Sequence, residues 1–185
     1  SLFFCFSQNP QTKKITNKFF PDNDIIINTP SFQKKKGFTD YEEMMNFIND
    51  LIIKHPHKLK LNFIGKSQKG YKVPMLILKN DNKKKKIKVW FQGGLHGNEP
   101  ASTEGMLFIV SELLNNSKYN YLTENIELAI VPMANIDGFI KQDRYASNGL
   151  DLNRDQTKLM VKESIFLKKS FSDFSPHVAV DFHEY

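Results

Sequence analysis

Residues 87–91 form a short, mainly apolar run that passes through Gly93-Gly94 into a segment with apolar residues at helical spacing. That succession narrows the possible folds more than any other feature of the chain. A short apolar run of this length reads as a buried strand. Pro100 suits the first turn of a helix whose inward face would be Met106, Leu107, Ile109, Val110, Leu113 and Leu114. The same alternation extends in both directions. Asp40 and Glu43 have capping-box spacing, and Tyr41, Met44, Met45, Ile48, Leu51 and Ile52 predict an amphipathic helix over 40–54 that ends at His55-Pro56. Two extended runs, 60–67 and 71–79, flank a turn at Lys69-Gly70 and read as a hairpin. Further on come a strand over 126–132, a long loop over 133–151, a helix over 157–169 and a strand over 178–182. Strands alternating with helices imply an α/β fold: a mixed, mostly parallel twisted sheet with helices on both faces.

Composition permits one globular core and excludes several function classes. Of 185 residues, 40% are hydrophobic, enough for a single domain. Residues 9–38, with Pro10, Pro21, Pro30 and Gly37, read as an irregular leading segment, and 39–185 as the domain proper. The net charge of +6 comes largely from short lysine runs such as Lys34-Lys35-Lys36 and Lys83-Lys84-Lys85-Lys86, beside Gly- or Asn-rich turns. These read as solvated loop tips. A nucleic-acid surface would need a basic face interleaved with aromatics, so no nucleic-acid partner is expected. Cys5 is the only cysteine, which rules out an intrachain disulfide and a thiolate zinc cluster within these residues. The apolar-then-polar residues 1–8 read as the tail of a secretory signal peptide, giving an expectation of a secreted or periplasmic protein. No apolar run is long enough for stable membrane insertion.

Chemistry becomes visible at Gly94-Leu95-His96-Gly97-Asn98-Glu99-Pro100. The segment leaves a buried strand and enters a helix, the edge of an α/β sheet where sites are usually built. An imidazole and a carboxylate three residues apart can converge on one cation, and a catalytic zinc takes three protein ligands plus an open position. His-x-x-Glu alone is a weak signal. The third candidate ligand is His183, at the end of the apolar run 178–182. Between them lie Asn135-Ile136-Asp137-Gly138, Arg144 and Asp151-Leu152-Asn153-Arg154. A loop presenting Arg144, Asn153 and Arg154 suits an anionic substrate, because Arg binds carboxylate bidentately and Asn adds a neutral donor. Taken singly, each of these residues also fits an ordinary surface loop.

In this order the motifs resemble the zinc carboxypeptidase family, the carboxypeptidase A/B/D-like peptidases, from about residue 61 to residue 185. The resemblance implies that His96, Glu99 and His183 hold one Zn2+. It implies that Arg144 polarises the scissile carbonyl and stabilises the oxyanion, while Asn153 and Arg154 grip the substrate's terminal carboxylate. Asp151 would orient a zinc-bound imidazole, that of His96. The substrate implied is a peptide or small amide with a free carboxylate. Ile136 stands where the family's turn usually carries proline, and the turn is expected to be set by Asp137-Gly138. Glu184 follows His183 in place of a small polar residue. The family's general-base glutamate and substrate-contacting tyrosine fall beyond residue 185, so this stretch is expected to carry the metal site without the full catalytic apparatus. Glu184, next to a ligand on a strand, is expected to point away from it. Two rivals share part of the pattern. One is a zinc deacylase of the aspartoacylase or succinylglutamate desuccinylase type, against which the Asn-Ile-Asp-Gly segment argues. The other is a pseudoenzyme that keeps zinc and carboxylate recognition without turnover.

Overall fold

Helix α1 (Tyr41–Lys54) starts as its spacing predicts. The Asp40 carboxylate accepts from Glu43 N at 2.9 Å, and the Glu43 carboxylate accepts from Asp40 N at 2.8 Å. Met44, Ile48 and Leu51 form its buried stripe. The computed structural model describes residues 12, 14, 15, 18, 26–80 and 84–184. The signal-peptide expectation for residues 1–8 lies outside them. Residues 26–38 are irregular apart from one 3-10 turn, Pro30–Gln33. They are tied down by Glu104, which accepts from Ser31 Oγ, Thr39 N and Thr39 Oγ1 at 2.7–2.9 Å.

Strands β1 (Leu59–Lys66) and β2 (Lys72–Leu78) make the predicted antiparallel hairpin, closed by Ser67 N donating to Tyr71 O at 2.8 Å. Strands β3 (Ile87–Gln92), β4 (Ile126–Val131) and β5 (Val178–Asp181) complete a five-stranded sheet in the order β1-β2-β4-β3-β5. β2 is antiparallel to β1 and β4, whereas β3 is parallel to β4 and β5. Four strands therefore share one direction and β2 alone runs against them. All residues of β2 from Val73 onward are buried, as are Leu128 to Val131 of β4, so these central strands are covered on both faces.

Helix α2 (Pro100–Asn115) lies beside α1, with His55 Nε2 3.0 Å from Asn115 Oδ1. A 3-10 turn (Ser117–Tyr119) and a one-turn helix, α3 (Asn120–Asn125), then lead into β4. The segment 133–151, expected as a loop, contains a further short helix, α4 (Ile136–Lys141). Helix α5 runs over Lys162–Phe174, later than the 157–169 predicted. Its start is delayed because the Asp155 carboxylate accepts from Met160 N and Val161 N at 3.0 and 2.8 Å, holding residues 155–161 in a turn. Its last turn is retained because Phe171 and Phe174 pack on Trp90 of β3 at 5.5 and 6.2 Å between ring centroids. Ser175, in the left-handed region ahead of Pro176, ends it. At the other end of the sheet, Phe166 of α5 fills the space over Gly65 of β1, where an added Cβ would lie 2.2 Å from the ring.

One feature of register positions everything that follows. Gln92 pairs with both Val131 and Asp181, so β3, β4 and β5 end side by side. The segments after them, which carry His96 and Glu99, Arg144 and Asp151, and His183, leave the sheet from one edge. That is the carboxyl end of the parallel strands, where α/β sheets bind ligands.

Candidate metal centre

Backbone hydrogen bonds continue past the strands and join the first two segments. Ala134 N donates to Gly93 O at 3.0 Å and Asn135 N to Gly94 O at 2.8 Å. Gly94 adopts φ +64°, which favours glycine, and its N–H donates to Ser102 Oγ at 2.7 Å. That hydroxyl in turn donates to Glu99 O at 2.7 Å, fixing the ligand segment against α2. Gly97 lies on Gly138 so closely that an added Cβ would sit 2.0 Å from the Gly138 carbonyl carbon. The glycine between His96 and Glu99 is therefore what lets the His-x-x-Glu loop reach the segment bearing Arg144.

The Asn-Ile-Asp-Gly segment is the first turn of α4, not a tight turn set by Asp137-Gly138. Asn135 is its N-cap, accepting from Gly138 N at 3.0 Å, and Ile136 takes the first helical position. That position favours proline without requiring it. Asp137 serves the scaffold instead. Its carboxylate accepts from Ser67 Oγ at 2.7 Å and Lys69 N at 3.0 Å, tying α4 to the β1–β2 turn.

Donor atoms of His96, Glu99 and His183 converge to within 4.8 Å of one another. His96 Nδ1 lies 2.8 Å from Glu99 Oε1, and His183 Nδ1 lies 2.8 Å from Glu99 Oε2. The two rings are 4.7 Å apart between centroids. Each outer nitrogen faces a carboxylate: His96 Nε2 is 3.1 Å from Asp151 Oδ1, and His183 Nε2 is 3.2 Å from Asp181 Oδ2. Asp151 also accepts from Arg144 Nε at 3.0 Å and from Asn153 N at 2.8 Å, so one side chain fixes His96, Arg144 and the 3-10 turn Leu152–Arg154. The Arg144 Nη1 atom stands 3.9 Å from Glu99 Oε1. Asp181 is the contact that the sequence reading missed. Its signal was the two-residue spacing to His183, which on an extended chain puts both side chains on one side.

Charge and burial fit a cation. Burial alone would raise the Glu99 pKa, but hydrogen bonds from His183 and His96 and the Glu184 N–H outweigh it and hold the carboxyl below its ordinary range. Asp151 is likewise lowered. Burial opposes ionisation there too, and the Asn153 N–H, Arg144 and His96 overcome it. At Asp181 burial prevails over the neighbouring imidazole and the pKa is raised. Three carboxylates meet a single guanidinium around the two imidazoles, an excess of negative charge that a divalent cation offsets. Two imidazole nitrogens and a carboxylate form a donor set suited to zinc, with outer carboxylates to orient the rings.

The remaining candidates are placed less tightly. Asn153 is half-buried and enters the network through its backbone N–H. Arg154 is exposed, and its Nη1 donates to Asn153 O at 3.3 Å. Glu184 does point away from the cluster: its N–H donates to Glu99 Oε2 at 3.2 Å while its carboxylate accepts from Ala101 N at the start of α2.

A sequence profile described as zinc carboxypeptidase matches residues 44–180, which takes in every candidate except His183. The probable carboxypeptidase 2 of Trichophyton verrucosum is 38% identical over 127 residues, 65% of this chain. The chain spans 24% of that relative's length. Carboxypeptidase A from Helicoverpa armigera superposes with a TM-score of 0.74 at 18% identity, over 93% of this chain and 52% of that one. A metallo-carboxypeptidase from Burkholderia cenocepacia gives 0.70 at 19% identity, over 78% and 41%. These likenesses establish the fold, and with the profile match across most of its length the chain belongs to the zinc carboxypeptidase family.

Proposed function

We propose that this chain carries the metal centre and part of the substrate-binding loop of a metallocarboxypeptidase, which hydrolyses a C-terminal peptide or amide bond. The observation that carries the reading is the meeting of His96, Glu99 and His183 from two separate segments, with Arg144 from a third standing beside Glu99. His96, Glu99 and His183 would hold one zinc ion, which when bound supplies a Lewis acid and a water of lowered pKa. Asp151 keeps the His96 ring turned so that Nδ1 faces the shared point. Arg144, held by the same carboxylate, is placed to stabilise negative charge developing on the carbonyl oxygen of the scissile bond. Asn153 and Arg154 are the candidates for the substrate's terminal carboxylate. Among the described residues the Arg154 guanidinium donates to the Asn153 carbonyl alone, an exposed contact from which it can turn toward an anion. Glu184, engaged at the start of α2, is not the general base of this reading. No helix among the described residues is long and apolar enough to cross a membrane. Secretion or export to a periplasm is the localisation we propose, on the composition of residues 1–8.

The experiment compares peptides bearing a free C-terminus with their amides and with N-acyl amino acids, using the full-length protein. Arg144→Ala should lower kcat by about two to three orders of magnitude. Preference for N-acyl amino acids over peptides would replace the carboxypeptidase reading with the deacylase one.

A further inference from the structure

We propose that Asp181 is a positioning residue for His183, and that it is itself held in place through Gln92 by the buried indole of Trp90. The proposal rests on the zinc reading above and adds a second carboxylate–imidazole pair to the one supplied by Asp151. The chain of contacts runs from the core outward. Trp90 is buried between β3 and α5, and its Nε1–H donates to Gln92 Oε1 at 3.1 Å. An indole can only donate, so the Gln92 oxygen must face it, and the amide N–H2 is turned toward the neighbouring strand. There Asp181 is the register partner of Gln92 across β3 and β5. Asp181 Oδ2 then faces His183 Nε2 at 3.2 Å.

With its Nε2 edge turned to the Asp181 carboxylate, the ring presents Nδ1 on its opposite side. That directs Nδ1 at the point shared with His96 and Glu99. His96 achieves the same result inside a buried loop. Outer partners of this kind change metal affinity by about 10–100-fold when removed.

The test uses the full-length protein stripped of metal. Zinc affinity is measured by competition with a chromophoric chelator, and the visible spectrum is recorded after loading with Co2+. Asp181→Asn should weaken zinc binding 10–100-fold and alter the Co2+ bands while the apoprotein melts where wild type does. Gln92→Met, which leaves Asp181 in place but cuts its link to Trp90, should produce a smaller loss in the same direction. If Asp181→Asn fails to fold, the Gln92→Met result decides. Zinc affinity within twofold of wild type in the folded variants, with unchanged Co2+ bands, overturns the proposal while leaving the metal centre intact. Failure of the wild-type protein to bind zinc sinks this proposal and the zinc reading together.

Discussion

The two histidines of the candidate metal centre are held in different ways. His96 is 2% exposed, on a loop bonded on one side to the segment after β4 and on the other to the first turn of α2. His183 follows β5, which pairs with β3 among the described residues, and its own side chain is 16% exposed. Glu99 spans the two, giving one oxygen to each ring. Half of the centre is therefore part of the hydrophobic core, and its geometry comes with folding. The other half is held by polar contacts to Glu99 and Asp181, which side-chain substitution can remove one at a time.

The largest effect should come from breaking the buried half at its backbone. Gly97→Ala drives a methyl group into the Gly138 carbonyl, and nothing there is a flexible side chain that could yield. We expect a loss of about 3 kcal/mol or more in unfolding free energy, together with loss of metal binding, read by denaturant titration and chelator competition. Wild-type stability in that variant would mean that the His-x-x-Glu loop is not stapled to α4.

A more discriminating comparison removes the imidazoles one at a time. Either His96→Ala or His183→Ala should abolish tight zinc binding. In the absence of metal the two should differ. His96→Ala removes one partner each from Glu99 and Asp151 at a side chain only 2% exposed and should cost about 1–3 kcal/mol, whereas His183→Ala, at a side chain 16% exposed, should cost less. Equal losses in the apoproteins would erase the distinction between the halves.

The smallest effect is pH-dependent and concerns the scaffold behind Arg154. Burial opposes ionisation of Asp155, but the N–H groups of Met160 and Val161 outweigh it, so its folded pKa lies below the ordinary value. The carboxylate thus stabilises the fold at pH above the unfolded-state pKa, and that contribution disappears as pH falls through the folded value. Asp155→Asn should therefore lie about 1 kcal/mol below wild type at neutral pH, the two converging in acid. A gap that persists or widens at low pH would contradict this assignment.

The legible parts of the molecule were those written in local signals. The capping box at Asp40 and Glu43, the β1–β2 hairpin and the strand-to-helix passage around His96 each depend on residues within a few positions of one another. The onset of α5 was misplaced because Asp155 competes for the backbone N–H groups of residues 160 and 161, a contact that apolar spacing does not register. Helix α4 was hidden for a similar reason. It spans six residues, too few for periodicity to emerge, and its anchor, Asp137 on Ser67, crosses 70 residues of sequence. At the centre, the pairing of Asp151 with His96 was anticipated through the family resemblance, whereas Asp181 sat in plain view as part of an apolar strand.

The common finishing line of β3, β4 and β5 also limits how such a chain can diverge. Deleting one residue from β5 would draw His183 back by about 3.3 Å and turn its side chain to the other face of the sheet. No substitution nearby could restore that alignment. Residues 142–150, by contrast, hang between α4 and Asp151 outside any ladder, so their length can change without moving a ligand. Gains and losses of residues should therefore accumulate beside Arg144 and be purged from the strands, letting the mouth of the site be reshaped around a metal position that stays put.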